Sequence, residues 1–376
     1  MGCISRLLLA GFLTLSAVAQ EVPTIRTFSY VGGEYADDGT GTGESIFRNQ
    51  LYVEKLEPFN HTNPQPAPIV LIHGQAQTGT NFLDKPDGGR GWASNFISAG
   101  YTVYIVDQTF RGRSPWQPGA GAARPSVYSA EYISRRFTAG KLYNTSWPQA
   151  SLQTQWPGNG TKGDPIFDAF YSANVQFILN ATYQQSTVQR AGAALLDTIG
   201  RPTILLGHSQ GGILPLLIAD ARPDLIHSLV LLEPSGPPFQ EAVFSTNAAR
   251  AYGLTDIPLN YSPPLSSPSD LVRQVYPPPV PNSDNSTVPC ILQAQDPAPR
   301  QLPNFVDKRI LVVVGEASYH APYDYCTVEY LRQAGAKGTD FLELGKAGIK
   351  GNGHLSFLER NSDEVWAKVE GWVRGV

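Results

Sequence analysis

The feature that most constrains this chain is a serine in a glycine-flanked turn between two apolar stretches. Leu205 and Leu206 lead into a Gly-His-Ser-Gln-Gly turn at 207–211, and a second apolar stretch begins at Ile213. Between a buried strand and a helix, such a turn holds its serine in a strained backbone with Oγ exposed above the sheet. Its glycines leave room for the adjoining strand and helix. The segment predicts a strand, a tight turn and a helix, with Ser209 as a nucleophile.

Short runs of apolar and β-branched residues alternate with helical patterns along most of the chain. The runs that predict buried strands are residues 69–72, 103–106, 203–206, 229–232, 310–314 and 341–344. Helical patterns lie near residues 93–99, 188–198, 212–221, 327–334 and 363–374. This alternation predicts an α/β protein with a mostly parallel central sheet flanked by helices. Two earlier runs, 27–30 and 51–54, predict an antiparallel hairpin at one edge of the sheet.

Two stretches interrupt the alternation, and each is too long for an ordinary connection. Residues 114–186 are rich in Pro, Gly and aromatic residues, and residues 235–305 are rich in proline. Both follow the carboxyl ends of strands, where open α/β sheets place their ligand crevice. We interpret them as two insertions that build a cap on a single domain spanning 20–376. A disordered linker is the alternative for the second stretch.

The first residues have the pattern of a secretory signal peptide. Arg6 precedes an apolar run over residues 7–19, and small residues at 17 and 19 precede the expected cleavage site. The run is too short to span a bilayer, and no later segment reaches the ~18 apolar residues that a span needs. We therefore expect residues 1–19 to be removed and the mature protein to be secreted, without a membrane span. An N-terminal core helix is the alternative.

Cysteines and glycosylation sequons agree with export. After Cys3 leaves with the signal, Cys290 and Cys326 remain, and an even pair in an exported chain predicts one disulfide. Two separate thiols are the alternative. Asn-x-Ser/Thr sequons predict glycosylation at Asn60, Asn144, Asn159, Asn180, Asn260 and Asn285. A net charge of −4, without runs of Lys or Arg, argues against a nucleic-acid surface.

A nucleophilic serine needs a base and an acid that orients the base. His354 follows the last predicted strand and precedes the final helix, where a triad in the order serine, acid, histidine places its base. His320 is interpreted as a pocket or structural residue, and His208, inside the turn, is expected to face away from the serine. No cluster of His, Cys and Asp has the spacing of a zinc site, so we expect neither a metal nor an organic cofactor.

Three carboxylates compete for the role of the acid. Glu233 ends the strand that follows the serine unit and precedes a turn rich in Pro and Gly, whereas Glu316 and Asp324 follow the next strand. The usual spacing for an acid after that next strand falls on Ser318, which cannot serve. We therefore favour Glu233, with Asp324 and Glu316 as the alternatives.

A His-Gly pair at the end of another predicted strand points to the oxyanion hole. After His73 and Gly74 the chain can turn so that a backbone N–H points at the serine. We expect this donor to be Gln75, with Ala76 as the alternative. The second donor is expected to be the N–H of Gln210, the residue after the nucleophile. The charged loop at 107–114 is expected to tie neighbouring loops together, which is a structural role.

These segments resemble the α/β-hydrolase superfamily over most of residues 50–376. The chain more closely resembles a subfamily of secreted bacterial and fungal esterases, on the segments 30–35, 73–74, 107–108, 111–114, 207–211, 233–238 and 353–354. The resemblance implies an α/β-hydrolase fold and an acid after the strand that follows the serine turn, which supports Glu233. Bacterial members can carry adjacent cysteines at the oxyanion turn, where this chain has Gln75 and Ala76.

Together these features predict a secreted serine hydrolase that cleaves a small or medium neutral ester, or a lactone, through an acyl-enzyme. One alternative is an acyltransferase on the same scaffold, in which an alcohol replaces water. The other is a non-catalytic binding protein of the same fold, although such proteins often lack a triad member and this chain keeps all three. Epoxide hydrolases and dehalogenases are disfavoured because they need Asp at the position of Ser209. The sequence does not predict the oligomeric state.

Overall fold

The computed structural model describes residues 21–117, 125–143, 146–278 and 286–375. The predicted signal peptide at 1–19 and the sequons at Asn144 and Asn285 lie outside these residues. The strands are β1 (Thr24–Asp37), β2 (Ser45–Pro58), β3 (Ile69–Ile72), β4 (Val103–Asp107), β5 (Pro125–Ser126), β6 (Phe177–Ile178), β7 (Thr203–His208), β8 (Ile226–Leu232), β9 (Arg273–Tyr276), β10 (Cys290–Gln293), β11 (Arg309–Val314) and β12 (Thr339–Glu343). The helices are α1 (Trp92–Ser98), α2 (Ala130–Ile133), α3 (Gly140–Tyr143), α4 (Pro165–Ser172), α5 (Ala181–Ile199), α6 (Leu214–Ala221), α7 (Asp324–Gln333) and α8 (Ser362–Arg374).

Eight of the strands form the central sheet, in the order β1-β2-β4-β3-β7-β8-β11-β12. From β4 to β12 neighbouring strands pair in parallel. At the other edge β1 and β2 form an antiparallel hairpin, and β2 pairs antiparallel with β4. The mostly parallel sheet and its hairpin edge are therefore confirmed. The parallel strands point their carboxyl ends to one edge of the sheet, where the serine turn follows β7.

The central strands are apolar at nearly every position because each face of the sheet is covered. In β7, Leu205 packs into the apolar layer that includes α5, α6 and α7, and Leu206 packs into the layer that includes α1 and α8. Both side chains are buried. A strand that is covered on both faces needs apolar residues throughout, rather than in alternation. This packing explains the unbroken runs in the sequence and fixes the strand ends.

Several helix starts differ from the predicted ones, and for two of them the cause is local. The helix after the serine turn begins at Leu214 rather than at residue 212, because a 3₁₀ turn over Ser209–Gly212 comes first. Pro215 therefore lies in the first helical turn, where a missing N–H costs no hydrogen bond. Helix α5 begins at Ala181, seven residues before the apolar pattern at 188 becomes clear, because the side chain of Asn180 caps its first turn.

The first long segment (114–186) and the second long segment (235–305) add short elements outside the central sheet. The first contains α2, α3, α4 and the β5–β6 pair, and the second contains the antiparallel β9–β10 pair. The disulfide predicted between Cys290 and Cys326 is present. It joins β10 of the second long segment to α7, which packs on the central sheet.

Four predicted glycosylation sites lie on described residues and are exposed, namely Asn60, Asn159, Asn180 and Asn260. Asn180 caps α5 through Oδ1, the amide atom that carries no sugar. Nδ2 of Asn260 donates to Asp220 Oδ2 at 2.9 Å, so a sugar on Asn260 would compete with this bond. Glycosylation stays a prediction. Within the described residues, no helix has the length and apolar character required to cross a membrane.

Candidate active site

The turn after β7 forces Ser209 into a strained backbone conformation. Its φ of 57° lies in the left-handed region, which is costly for a residue with a Cβ. A Cβ on Gly207 would lie 2.2 Å from the carbonyl oxygen of Gly211, and a Cβ on Gly211 would lie 2.1 Å from that of His73. Only glycine fits at these two positions. The close approach of strand, turn and neighbouring loop holds Ser209 at the carboxyl end of β7.

His354 links Ser209 to Glu233 by two hydrogen bonds. The Ser209 hydroxyl lies 3.0 Å from His354 Nε2 and can donate to it. On the other side of the ring, Nδ1–H donates to Glu233 Oε2 at 2.6 Å. His354 and Glu233 are buried, whereas Ser209 is partly exposed. In this order of groups the imidazole can take the serine proton while the carboxylate holds its tautomer.

Glu233 is held from the end of the neighbouring strand β11. Its Oε1 accepts the N–H of Gly315 at 2.7 Å, and its Oε2 accepts the hydroxyl of Ser318 at 2.5 Å. Glu233 itself has a φ of 45°, in the same left-handed region as Ser209. Ser318 stands where the usual spacing after β11 expects an acid. Its hydroxyl instead donates to the carboxylate that comes from the end of β8.

The two alternative acids are engaged elsewhere. Asp324 Oδ1 lies 2.9 Å from His320 Nδ1, and both side chains are buried. Glu316 accepts from Lys350 Nζ and from the backbone N–H of Gly351, both at 2.9 Å. Of the three candidate carboxylates, the structure therefore brings Glu233 to His354 and leaves the other two with different partners.

Burial shifts the pKa values of Glu233 and His354. Desolvation raises the pKa of Glu233, against the hydrogen bond from Ser318, which favours the carboxylate. Desolvation also lowers the pKa of His354 well below its ordinary value, and nearby His320 and Arg136 lower it further. A lowered pKa keeps the imidazole neutral at neutral pH, which is the form that can accept a proton from serine.

Four rings surround the imidazole of His354 and fix its orientation. The ring centroids of Phe137, Tyr319, His208 and His320 lie 4.6 to 4.9 Å from its own. His320 stacks on it at an interplanar angle of 11°. His208, expected from the sequence only to face away from the serine, donates from Nε2 to the carbonyl oxygen of His354 at 2.9 Å. His208 thus holds the backbone of His354 in place.

The loop that carries His354 is anchored by a buried carboxylate. Glu359 accepts from the N–H of Gly353 at 3.0 Å and from Asn352 Nδ2 at 2.8 Å. Burial raises the pKa of Glu359 to about 8. Glu359 follows His354 by only five residues, so the loop is held by a residue that lies between His354 and the start of α8.

The turn after β3 places Gln75 beside Ser209. The carbonyl oxygen of Gly74 accepts from Arg111 Nη1 at 3.1 Å and from His73 Nδ1 at 2.8 Å. The 74–75 peptide is not among the cis bonds of the described residues. In a trans peptide the N–H points opposite to the C=O, so the Gln75 N–H points away from Arg111. A Cβ on Gly74 would lie 3.1 Å from Ser209 Cβ, which places this peptide next to the serine.

The charged loop after β4 ties its neighbours together, as expected. Asp107 Oδ2 accepts from the backbone N–H and from Nε of Arg113, both at 2.8 Å. Its Oδ1 accepts the N–H of Gly79, at 2.8 Å, from the segment that follows β3. These bonds hold the loop in which Arg111 lies, and Arg111 in turn reaches the carbonyl of Gly74.

A cavity of about 370 Å³ opens beside Ser209 and His354. This volume is that of a site for a small molecule. The strand ends contribute Gly74, Gln75, Ser209, Gln210 and His354 to its walls. The two long segments contribute Tyr128, Tyr132, Arg136, Phe137, Glu241, Phe244 and Arg250. The cavity is therefore bounded on one side by the sheet and on the other by the long segments.

Sequence reasoning did not single out Arg136, the support from His208 or the bond from Ser318. For Arg136 a signal exists, since a pair of arginines lies between Tyr132 and Phe137 in a segment expected to cover the site. For His208 and Ser318 no local signal exists. Each of these two side chains forms its hydrogen bond with a residue that is distant in the sequence.

One group of close potential metal ligands occurs among the described residues, formed by Glu233, His320 and His354. Its ligand atoms lie within 4.8 Å of one another. Both ring nitrogens of His354 are already in hydrogen bonds, to Glu233 and to Ser209. The arrangement suits proton transfer better than metal coordination.

The chain is similar to known proteins in sequence and in fold. The sequence model of the alpha/beta hydrolase family matches residues 69–368. The chain is 44% identical to the probable secreted lipase phiG of a fungal species (strain ATCC 74256), over 93% of this chain and 90% of that protein. A structure described as a novel bacterial esterase covers 98% of this chain and 99% of its own, with 21% identity and a TM-score of 0.64. The chain therefore belongs to the alpha/beta hydrolase family.

Proposed function

We propose that this protein is a secreted carboxylic-ester hydrolase that cleaves esters or lactones through an acyl-enzyme on Ser209. The observation that carries the proposal is the hydrogen-bonded series Ser209–His354–Glu233 beside a cavity of about 370 Å³. The fungal relative, described as a probable secreted lipase, supports ester cleavage and export.

In the first half-reaction, His354 Nε2 takes the proton of the Ser209 hydroxyl as Oγ attacks the carbonyl carbon. Glu233 accepts the Nδ1–H bond throughout and stabilises the imidazolium that forms. The tetrahedral intermediate collapses when its C–O bond breaks and the leaving alcohol takes the proton from Nε2. The acyl group is then bonded to Ser209.

The negative oxygen of the intermediate rests on the backbone N–H groups of Gln75 and Gln210. Support for Gln75 comes from Arg111 and His73, which hold the Gly74 carbonyl so that the next N–H points the other way. Support for Gln210 comes from its place directly after the nucleophile, at the start of the 3₁₀ turn.

In the second half-reaction, water gives a proton to His354 Nε2 and attacks the acyl carbon. The new tetrahedral intermediate releases Ser209, whose Oγ takes the proton back, and a carboxylic acid leaves. For a lactone the alcohol and the acid belong to one hydroxy acid. Every proton in the cycle passes through one imidazole nitrogen, so no metal is required.

The two long segments form one cap on the domain at 20–376. This is supported by the residues that both contribute to the same cavity, such as Arg136 from the first and Phe244 from the second. Export is supported by the apolar run at 7–19 and by the Cys290–Cys326 disulfide.

The test is a panel of p-nitrophenyl esters and lactones assayed with protein collected from the medium. We expect hydrolysis by the native protein and labelling of Ser209 by a fluorophosphonate probe. Ser172→Ala, which removes a serine on the surface of α4, is the matched control and should keep both properties. Labelling of a different serine, or equal turnover by Ser209→Ala, would reject the mechanism.

Export has a separate test. The mature chain should begin near Gln20, and thiol alkylation of the native protein should modify no cysteine until the disulfide is reduced. Two alkylated thiols in the native protein, or an intact N-terminus on the purified chain, would contradict the assignment to the secretory route.

A further inference from the structure

Arg136 lies in the wall of the catalytic cavity, on an unusual backbone segment. The cavity wall that includes Ser209 and His354 also includes Arg136. The residue belongs to a single π-helical turn, Ser134–Thr138, that directly follows α2. Such turns occur frequently at functional sites. The next residue, Phe137, contacts the ring of His354, so the turn reaches the catalytic base.

Aromatic rings hold the guanidinium group of Arg136. Its central carbon lies over the ring of Tyr132, 4.1 Å from the centroid, and over the ring of Phe244, 3.8 Å from the centroid. In the described part of the chain Arg136 has no hydrogen-bond acceptor and no acidic partner. Rings stabilise the cation but take up none of its directional N–H donors, which remain available to a ligand.

The two other arginines near this site donate to groups of the protein itself. Arg250 Nη1 donates to Glu241 Oε1 at 2.7 Å, and its Nε donates to the carbonyl of Pro237 at 2.8 Å. Arg111 donates to the carbonyl of Gly74 and is fully buried behind the oxyanion turn. Glu241, the acidic residue in the cavity wall, is thereby neutralised by Arg250. Arg136 therefore supplies the uncompensated positive charge in the described wall.

A second cavity, of about 620 Å³, shares Tyr132, Arg136 and Phe244 with the catalytic one. Arg136 thus stands between the two cavities, with access to a ligand on either side. The outer cavity is also lined by Glu131 and Arg135, whose opposite charges offset each other. A ligand that extends from Ser209 towards the outer cavity passes the guanidinium group.

We propose that the substrate carries a carboxylate in addition to its scissile ester, and that Arg136 binds this carboxylate. A planar guanidinium matches a carboxylate through two parallel N–H···O bonds, and the rings hold it ready for them. The substrate class is then the half-ester of a dicarboxylic acid or a related acidic ester, in place of the neutral ester predicted from the sequence. This inference rests on the proposed hydrolase function.

The test compares mono-p-nitrophenyl esters of succinate, glutarate and adipate with the p-nitrophenyl alkanoates of the same chain length. For at least one length, we expect the native protein to show a kcat/KM at least about tenfold higher for the acidic ester. Arg136→Gln should reduce this ratio by about 10- to 100-fold, the range for a lost charge-assisted hydrogen bond. Arg136→Lys should keep part of it, and added salt should reduce it.

Arg135→Gln is the matched control, because Arg135 carries the same charge on the same turn but lines the outer cavity alone. It should leave the ratio within about threefold of the native value, since an exposed charge contributes little. A native ratio below about tenfold at every chain length, or an equal ratio in Arg136→Gln and native protein, would overturn the proposal while leaving ester hydrolysis intact.

A binding measurement separates this inference from the proposed function. Calorimetry with Ser209→Ala protein and monomethyl glutarate should give a Kd that rises at least about tenfold on adding Arg136→Gln. If no ester is cleaved but this dependence holds, the hydrolase proposal fails and the carboxylate site stands. If esters are cleaved and the Kd does not depend on Arg136, the carboxylate site is rejected.

Discussion

The strand ends and the two long segments meet at one cavity, but they are built differently. Ser209 and Glu233 directly follow buried strands and have left-handed backbones, and their side chains bond to His354, in the loop before α8, and to Gly315, just after β11. Arg136 and Phe244 reach the cavity from irregular or short elements, and their contact with each other is the packing of a cation on a ring. Under the proposed function, the residues at the strand ends would carry out the bond making, while the long segments would select the molecule that fits.

The largest effect is expected from removing the nucleophile at the end of β7, which tests whether the strand ends carry the chemistry. Ser209→Ala should lower kcat by about 10⁴-fold or more without lowering the melting temperature, because it deletes one oxygen from a partly exposed side chain. The double variant Ser209→Ala with His354→Ala should lose little more, since the residues act as one unit. Steady-state kinetics and thermal melts measure both. If the double variant instead lost kcat by the product of the two single factors, Ser209 and His354 would act independently.

The next largest effect should come from the acid. Glu233→Gln keeps the shape of the side chain but no longer stabilises the imidazolium, and should lower kcat by about 10²- to 10⁴-fold with little change in KM. Glu316→Gln and Asp324→Asn should lose less than about tenfold, because neither carboxylate contacts His354. The kinetics must be compared among variants with matching melts. A near-native Glu233→Gln beside an inactive Asp324→Asn would place the acid after β11.

The sequence predicts the sheet better than it predicts the support around the site. The strands are recoverable because burial on both faces leaves unbroken apolar runs such as 203–206. Ser209 and His354 are recoverable because each lies at a fixed place in the order of strands. His208 is missed because it bonds to a carbonyl 146 residues later, and Ser318 because it bonds to a carboxylate 85 residues earlier. Such contacts depend on packing, which no local pattern records.

The disulfide should contribute to the stability of the second long segment, which contains Cys290. The bridge closes a loop with a sequence separation of 36 residues, and replacing Cys290 and Cys326 by Ala should cost about 4 kcal/mol of stability by the chain-entropy model. Urea unfolding of the double variant beside native protein measures this. KM should change more than kcat, because the second long segment lines the cavity and bonds only to the backbone of the triad, through the Ser235 N–H and the carbonyl oxygen of Ser209. A loss below about 1 kcal/mol would show that the packing of the second long segment suffices.

The smallest predicted effect concerns Ser318, which joins the two strand ends. Ser318→Ala removes a hydrogen bond from the Glu233 carboxylate, and should lower kcat about three- to tenfold. The lost donor favoured the ionised form, so the pKa of Glu233 should rise further above its ordinary value. Activity needs the carboxylate and is lost as the pH falls through this pKa. The acidic limb of the kcat/KM profile should therefore move to higher pH.

Ser318→Thr distinguishes this electrostatic role from packing. Threonine keeps the hydroxyl but adds a methyl group at a buried site, so it should lower the melting temperature while leaving the acidic limb where it lies in native protein. Ser318→Ala should also lower the melting temperature, since it takes a partner from the buried Glu233 carboxylate and from the His320 N–H, but it alone should displace the limb. If both variants leave the pH profile unchanged, the bond from Ser318 does not tune Glu233, and the end of β11 contributes to this site only by holding the chain in place.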